Sequence, residues 1–184
     1  HKGDFFKNLH HLDVSRNELK KLPNDWYYLK KLRSLNLTFN HIEELPSKIG
    51  NFSNLRELHL GINKIETLPC LTKLKKLRKL YIEKNRLKEL SSSIGNLHEL
   101  RELTLNLNQL TMLPKAVFKL KKLKILDACY NKITHLPCIN SKSNLHKLLL
   151  NENRLTTLPQ NLSGLKKLKY LDIEYNKIKE IPHG

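Results

Sequence analysis

The sequence predicts an α/β solenoid of about eight stacked strand-and-return coils. Three observations predict it. A template LxxLxLxxNxLxxLP starts at Leu9, Leu32, Leu55, Leu77, Leu100, Leu123, Leu145 and Leu168, at intervals of 22 or 23 residues. Of its forty Leu-type positions, thirty-nine hold Leu, Ile or Val; the exception is Ala128. All seven prolines of the 184-residue chain fall at the last template position, where only Ser91 departs. Self-similarity at a fixed period of this length is the mark of units that bury their apolar faces by stacking.

Each part of the template has a physical reason. The LxL portion alternates, so Leu103 and Leu105 are predicted to point inward while Thr104 and Asn106 point out. The Asn column (Asn17, Asn40, Asn63, Asn85, Asn108, Asn131, Asn153 and Asn176) stands where each coil leaves its strand. A buried amide there can satisfy backbone groups of the neighbouring coil and rigidify the stack. Pro fixes φ and marks the start of the return. In the 23-residue units apolar residues follow at +3 and +6 (Ile49 and Phe52, Val117 and Leu120, Leu162 and Leu165), which suits a short helical or 3₁₀ turn. The two 22-residue units read PCLTKL and PCINSK, and a more extended return is expected. Coil six carries two irregularities, Ala128 and Lys142 (Leu74 in its twin), which predict looser packing near residues 126–144.

The template matches the consensus of the leucine-rich repeat family, from Leu9 to Pro182. The stretches LPSKIGNFSNL at 45–55 and LSSSIGNLHEL at 90–100 resemble intracellular Ras-group and Scribble-like repeats, and bacterial proteins use closely similar ones. The resemblance implies a curved horseshoe with a parallel β-sheet on its concave face and short helical, 3₁₀ or extended returns on its convex face. It also implies a protein-interaction module, an adaptor, scaffold or signalling recognition domain rather than an enzyme. No functional residue can be carried over, because the displayed positions are the ones that vary within the family.

On that architecture, template positions 3, 5 and 7 face the concave side. There seven acids, Asp13, Glu57, Glu83, Glu102, Asp127, Asp172 and Glu174, oppose Lys79 and Lys147, for a formal charge of −5 within a chain of +17. Position 8 is apolar in five coils: Phe39, Ile62, Leu107, Tyr130 and Tyr175. The partner-binding surface is therefore expected at Glu57, His59, Lys79, Tyr81, Glu83, Glu102, Thr104, Asn106, Leu107, Asp127, Cys129, Tyr130, Lys147, Leu149, Tyr170, Asp172 and Tyr175. The competing account of position 8 is sideways packing between neighbours.

The rest of the molecule carries +22, and its basic residues concentrate in the KKL runs and in a basic column at position 2, off the sheet. Lysine outnumbers arginine 27 to 7, although arginine supplies most base-edge contacts, so nucleic acid is disfavoured and contact of the lysine-rich back with an anionic membrane is expected to be weak. No run of 18 apolar residues exists to span a bilayer. There is no G-x-x-x-x-G-K, G-x-S-x-G, C-x-x-C or H-E-x-x-H, and His11 and His59, two strands apart, stand too far from each other to share an ion, so no cofactor or metal is expected. Cys70 and Cys138 are expected to be buried reduced thiols, about 14 Å apart at three strand spacings. Cys129 is expected to be a bystander thiol.

Sequons occur at Asn36, Asn51 and Asn161, but a glycan on Asn36 would obstruct the inner sheet, and a monomeric cytoplasmic chain is the expectation. Residues 1–184 are read as a single repeat domain, uncapped at both ends and a piece of something longer. The rival readings are an extracellular or pathogen-surface recognition array, and the targeting segment of a larger signalling enzyme.

Overall fold

A computed structural model describes residues 6–139, 142–160 and 162–181. Asn161, the acceptor of the third sequon, lies outside the described residues. Eight three-residue strands form one parallel sheet in sequence order. They are β1 (His11–Asp13), β2 (Ser34–Asn36), β3 (Glu57–His59), β4 (Lys79–Tyr81), β5 (Glu102–Thr104), β6 (Ile125–Asp127), β7 (Lys147–Leu149) and β8 (Tyr170–Asp172). Every pairing keeps the template in register: Leu12 faces Leu35, Leu35 faces Leu58, and so on to Leu148 opposite Leu171. The strands occupy template positions 3 to 5, so position 4 is the inward residue of each.

The sheet is one wall of a continuous apolar interior. Leu35, Leu58, Leu80, Leu103 and Leu126 are fully buried at position 4, and Leu37, Leu60, Ile82, Leu105, Ala128 and Leu150 at position 6. Among the described residues, coils one and eight have a neighbour on one side only, and their apolar residues are covered accordingly: Leu12 and Ile173 are half-buried, and Leu171 is 38% exposed. Burial is thus a property of the stack and not of the coil.

The returns divide as their spacing predicts. The 23-residue coils close through 3₁₀ turns at Asn24–Tyr28, Ser47–Asn51, Ser92–Asn96 and Ser163–Leu165, and through one α-helical turn, α1 (Lys115–Phe118). Ile49, Phe52, Val117, Leu120 and Leu165 are buried beneath them. Among the described residues, the two 22-residue coils have no helix between β3 and β4 or between β6 and β7. Ser91 substitutes for proline by other means: its hydroxyl accepts the Ser93 N–H at 3.2 Å and caps the following 3₁₀ turn.

Coil six departs from its twin. Leu74 is buried, but Lys142 at the matching place faces solvent and Ser143 is buried instead. The Ser143 N–H donates to the Gly164 carbonyl at 2.9 Å, and its hydroxyl accepts the Leu145 N–H at 3.2 Å. Ala128 lies fully buried, and its carbonyl accepts both Asn131 Nδ2 and Asn153 Nδ2.

The Asn column forms the expected ladder. Asn108 Oδ1 accepts the Leu87 N–H at 2.9 Å, and its Nδ2 donates to Ile82 O of the coil before and Leu105 O of its own coil, at 2.9 and 3.0 Å. The same three bonds recur at Asn40, Asn63, Asn85, Asn131, Asn153 and Asn176. Asn17 has no coil before it among the described residues, and its side-chain amide bonds only within its own coil, to Val14 O and Ser15 O.

A candidate docking surface on the inner sheet

Template positions 3 and 5 flank each buried position 4 and are open to the inside of the arc. Their carboxylates serve two different ends. Asp13, Asp127 and Asp172, at position 5, each accept the N–H two residues on, from Ser15, Cys129 and Glu174, at 2.8 to 3.1 Å. Asn36 does the same for Thr38 at 3.0 Å. These Asx turns fix the end of the strand, and the Ser15 bonds are the main reason the Asp13 carboxyl is held below the usual carboxylate range. Three of the seven concave acids are therefore tied to backbone shape. The signal was available as D-x-S, N-x-T, D-x-C and D-x-E at the strand ends, and the charge count alone hides it.

The carboxylates of β3 to β5 and the loop after β4 are different. Glu57 takes Lys79 at 3.2 Å and His59 at 3.7 Å. The His59 and Tyr81 rings lie 4.7 Å apart, and the Tyr81 hydroxyl donates to Glu102 at 2.9 Å. Desolvation, the Glu102 bond and the surrounding Glu57, Glu83 and Glu102 charges push the Tyr81 phenol upward. The Glu83 carboxylate folds over Gly61, where a Cβ would collide with it. Among the described residues, three buried side-chain polar atoms lack a hydrogen-bond partner: Glu83 Oε2, Asn106 Oδ1 and, away from the sheet, Tyr27 Oη. Glu83 and Asn106 share template position 7 in adjacent coils, so two successive coils near the middle of the inner sheet each carry an unpaired acceptor. Thr104 ends β5 two residues before Asn106 and pairs with Asp127 of β6.

Towards the C-terminal strands the surface turns greasy. Lys147 Nζ sits over the Tyr170 ring at 5.2 Å, beside half-buried Leu149 and Asp172. Tyr170, Tyr130 and Leu107 are 53%, 49% and 37% exposed, and Tyr175 is 70% exposed. Cys129 is placed differently from the expectation: it is 6% exposed, with its thiol against Asn151 Oδ1, and burial, with Asp127 beside it, raises its pKa to about 12. It contributes shape to the sheet and little surface. Cys70 and Cys138 were expected in the interior and are both exposed free thiols. In the shorter return the residue after Pro faces outward, and the burial passes to Leu71 and Ile139.

Position 8 has a property that no residue type in the column announces. Arg16, Phe39, Ile62, Lys84, Leu107, Tyr130, Glu152 and Tyr175 all adopt the left-handed conformation, with φ between 51 and 60°. Each N–H in this column from Arg16 to Glu152 donates to the position-7 carbonyl of the next coil, as Phe39 does to Gly61 at 2.9 Å and Tyr130 to Asn151 at 3.0 Å. The left-handed step turns the chain off the strand so that the following Asn enters the interior. It also carries the position-8 side chain outward, which leaves Phe39, Tyr130 and Tyr175 substantially exposed in place of packed sideways.

No helix among the described residues is long and apolar enough to cross a membrane, and no group of three His, Cys, Asp or Glu there is placed to hold a metal ion.

Comparison with known proteins agrees with this architecture. A leucine-rich repeat region model matches residues 4–107, and a second model, of two leucine-rich repeat copies, matches residues 143–183. A leucine-rich repeat protein of Leptospira interrogans superimposes with a TM-score of 0.88 at 36% identity, over 94% of this chain and 45% of that one. An internalin from Listeria monocytogenes gives 0.77 at 28%, over 92% and 48%. The plant peptide hormone receptor RGFR1, solved in complex with RGF2, gives 0.84 at 33%, over 96% and 30%. The chain thus spans about half or less of the length of these relatives. No curated protein sequence matches it. With repeat, ladder, register and neighbours in agreement, the chain belongs to the leucine-rich repeat family.

Proposed function

We propose that this chain captures another protein on its inner sheet and performs no chemistry itself, acting as the recognition part of an adaptor or scaffold. Leucine-rich repeat folds generally mediate protein–protein interaction, which sets the class. The observation that carries the location is the pair of unpaired acceptors, Glu83 Oε2 and Asn106 Oδ1, inside a rim of Glu57, Glu102 and Tyr81. An unsatisfied buried carboxylate oxygen is costly, and a cation from outside relieves it. A lysine or arginine side chain of the partner fits that place, and the exposed Tyr130, Tyr170 and Tyr175 supply the amphipathic contact area that anchors interfaces.

A second reading rests on the neighbours. The internalin and plant receptor structures, with extracellular leucine-rich repeat domains among the similar structures, favour a recognition array displayed outside a cell or on a pathogen surface, and the binding geometry proposed is the same in that setting. The test is recovery of the partner by the wild-type chain and by Glu83→Lys plus Asp127→Lys, with four lysines of the convex side reversed as a control. Loss with the sheet variant alone supports the inner face. Equal recovery by the sheet variant and wild type overturns it.

A further inference from the structure

Twenty-four residues make up the edge of the solenoid at the N-terminal ends of the strands: template position 2 and the two residues before each first Leu. Position 2 reads His10, Arg33, Arg56, Arg78, Arg101, Lys124, His146 and Lys169, eight basic or imidazole side chains in succession. Their backbones form an unbroken ladder, each N–H donating to the carbonyl of the previous one at 2.7 to 2.9 Å. The two residues before the first Leu alternate: Lys30-Lys31, Lys75-Lys76, Lys121-Lys122 and Lys166-Lys167 in every second coil, with Ser53-Asn54, His98-Glu99 and Ser143-Asn144 between. The edge holds fifteen Lys or Arg and one acid, Glu99, so +14 of the chain's +17 sits there. Concentration of this kind is not what a uniformly solvated basic surface would show.

The neutral residues of the alternation order the lysines without cancelling them. Lys31 Nζ donates to Asn8 Oδ1 at 2.7 Å and Lys76 Nζ to Asn54 Oδ1 at 2.6 Å, while Asn54 Nδ2 donates to Lys30 O at 2.8 Å. Lys122–Glu99 is the one ion pair on this edge among the described residues. Around it, Arg101, Lys121, Lys122, Lys124, Asn144, His146 and Lys167 line a cleft of about 390 Å³.

We propose that this edge is a docking surface for an anionic lipid membrane. Three features favour a bilayer over a nucleic acid. The in-register pairing of all eight strands sets the position-2 residues at one height, so they meet a flat surface together over roughly 34 Å at seven strand spacings. Lysine outnumbers arginine eleven to four on the edge, and a compact ammonium serves a diffuse field of phosphates as well as a guanidinium does. None of the twenty-four positions holds Phe, Tyr or Trp, the side chains that make the strongest base-stacking platforms, which leaves only three imidazoles and four guanidinium groups on which a base could stack. Docked in this way, the solenoid stands on its edge and leaves the inner sheet open to a protein partner. The inference is independent of the proposal for that sheet.

The test is sedimentation of the chain with phosphatidylcholine vesicles containing phosphatidylglycerol, against phosphatidylcholine alone, at two salt concentrations. Binding is expected to the anionic vesicles only, weakening as salt rises. Reversal of Lys75, Lys76, Lys121 and Lys122 to Glu should weaken it by about tenfold or more. The same number of reversals at Lys20, Lys21, Lys132 and Lys177, beyond the C-terminal ends of the strands, should weaken it far less. Lys75→Gln, Lys76→Gln, Lys121→Gln and Lys122→Gln repeat the test in a variant with milder effect on folding. Equal losses from both sets of reversals, equal binding to neutral vesicles, or tighter binding to an oligothymidylate than to the vesicles would overturn the proposal.

Discussion

Two columns of side chains run the length of this molecule a few ångströms apart, and they obey opposite rules. At position 9 all eight coils carry asparagine, and from Asn40 onward each amide makes the same three inter- and intra-coil bonds. At positions 3 and 5 no two coils carry the same pair, and at position 7 the column leaves Glu83 Oε2 and Asn106 Oδ1 unpaired. Where the chain repeats itself the hydrogen bonds close, and where it varies they are left available. The contrast teaches that the interior fixes the scaffold once, coil after coil, which frees the inner surface to differ everywhere.

The most forceful way to break the contrast is to remove a rung. Asn108→Ala leaves the buried Leu87 N–H without its acceptor and strips two carbonyls of a donor. The expected destabilisation is about 3 kcal/mol, which lowers the melting temperature by about 6–9 °C in a chain of this size. Asn17→Ala removes only local bonds from an exposed amide, and a loss under about 1 kcal/mol is expected. Equal melting points for the two variants would show that the ladder has no cooperative worth.

The inner surface should answer in the reverse manner. Tyr130→Ala and Tyr175→Ala are expected to weaken partner capture roughly tenfold each while moving the melting temperature by less than about 2 °C. The tyrosines are 49% and 70% exposed, so little packing is lost. A melting loss as large as that of Asn108→Ala would assign position 8 to the scaffold.

The three cysteines sharpen the same boundary by pH. The raised Cys129 pKa, about 12 against an ordinary value of 9.0, means that the folded chain holds the proton more tightly than the unfolded one. This contribution to stability is whole below pH 9 and is lost as pH climbs towards 12; at pH 10 it has fallen by about 1 kcal/mol. Stability measured from pH 8 to 10.5 should decline, and Cys129→Ala should flatten part of the decline. A thiol reagent at pH 8 should label Cys70 first, because the Thr72 bonds and then Lys73 and Lys75 lower its pKa and it is exposed. Cys138 should follow, and Cys129 should react only on unfolding.

Most of the scaffold was legible because it depends on residue type at fixed intervals. Leu at positions 1, 4 and 6, Asn at 9 and Pro at 15 gave the strands, the ladder and the two classes of return. What escaped was conformation set by neighbours. Nothing in Phe39 or Glu152 declares a left-handed backbone, since the conformation is imposed by the ladder on either side and indifferent to the side chain. Cys70 was expected inside because cysteine is commonly buried, but in a return one residue shorter the inward place goes to Leu71. The strand alternation places the acids beside the buried position 4, yet the division between Asp13, Asp127 and Asp172, which hold turns, and Glu83, which is unpaired, depends on a reach of two residues that composition does not record.

The smallest effect tests how far the scaffold dictates to the surface. An L-residue in the left-handed region costs about 1–2 kcal/mol that glycine does not, while glycine gives back part of that gain through the freedom of its unfolded chain. Lys84 stands there at φ 51° with an exposed side chain. Lys84→Gly should therefore stabilise the chain by roughly 0.5 kcal/mol, a rise in melting temperature of about 1–2 °C. Eight coils decline this gain and place a side chain at that position, five of them apolar. A clear loss of stability in Lys84→Gly would mean that position 8 packs after all, and would return that column to the side of the asparagines.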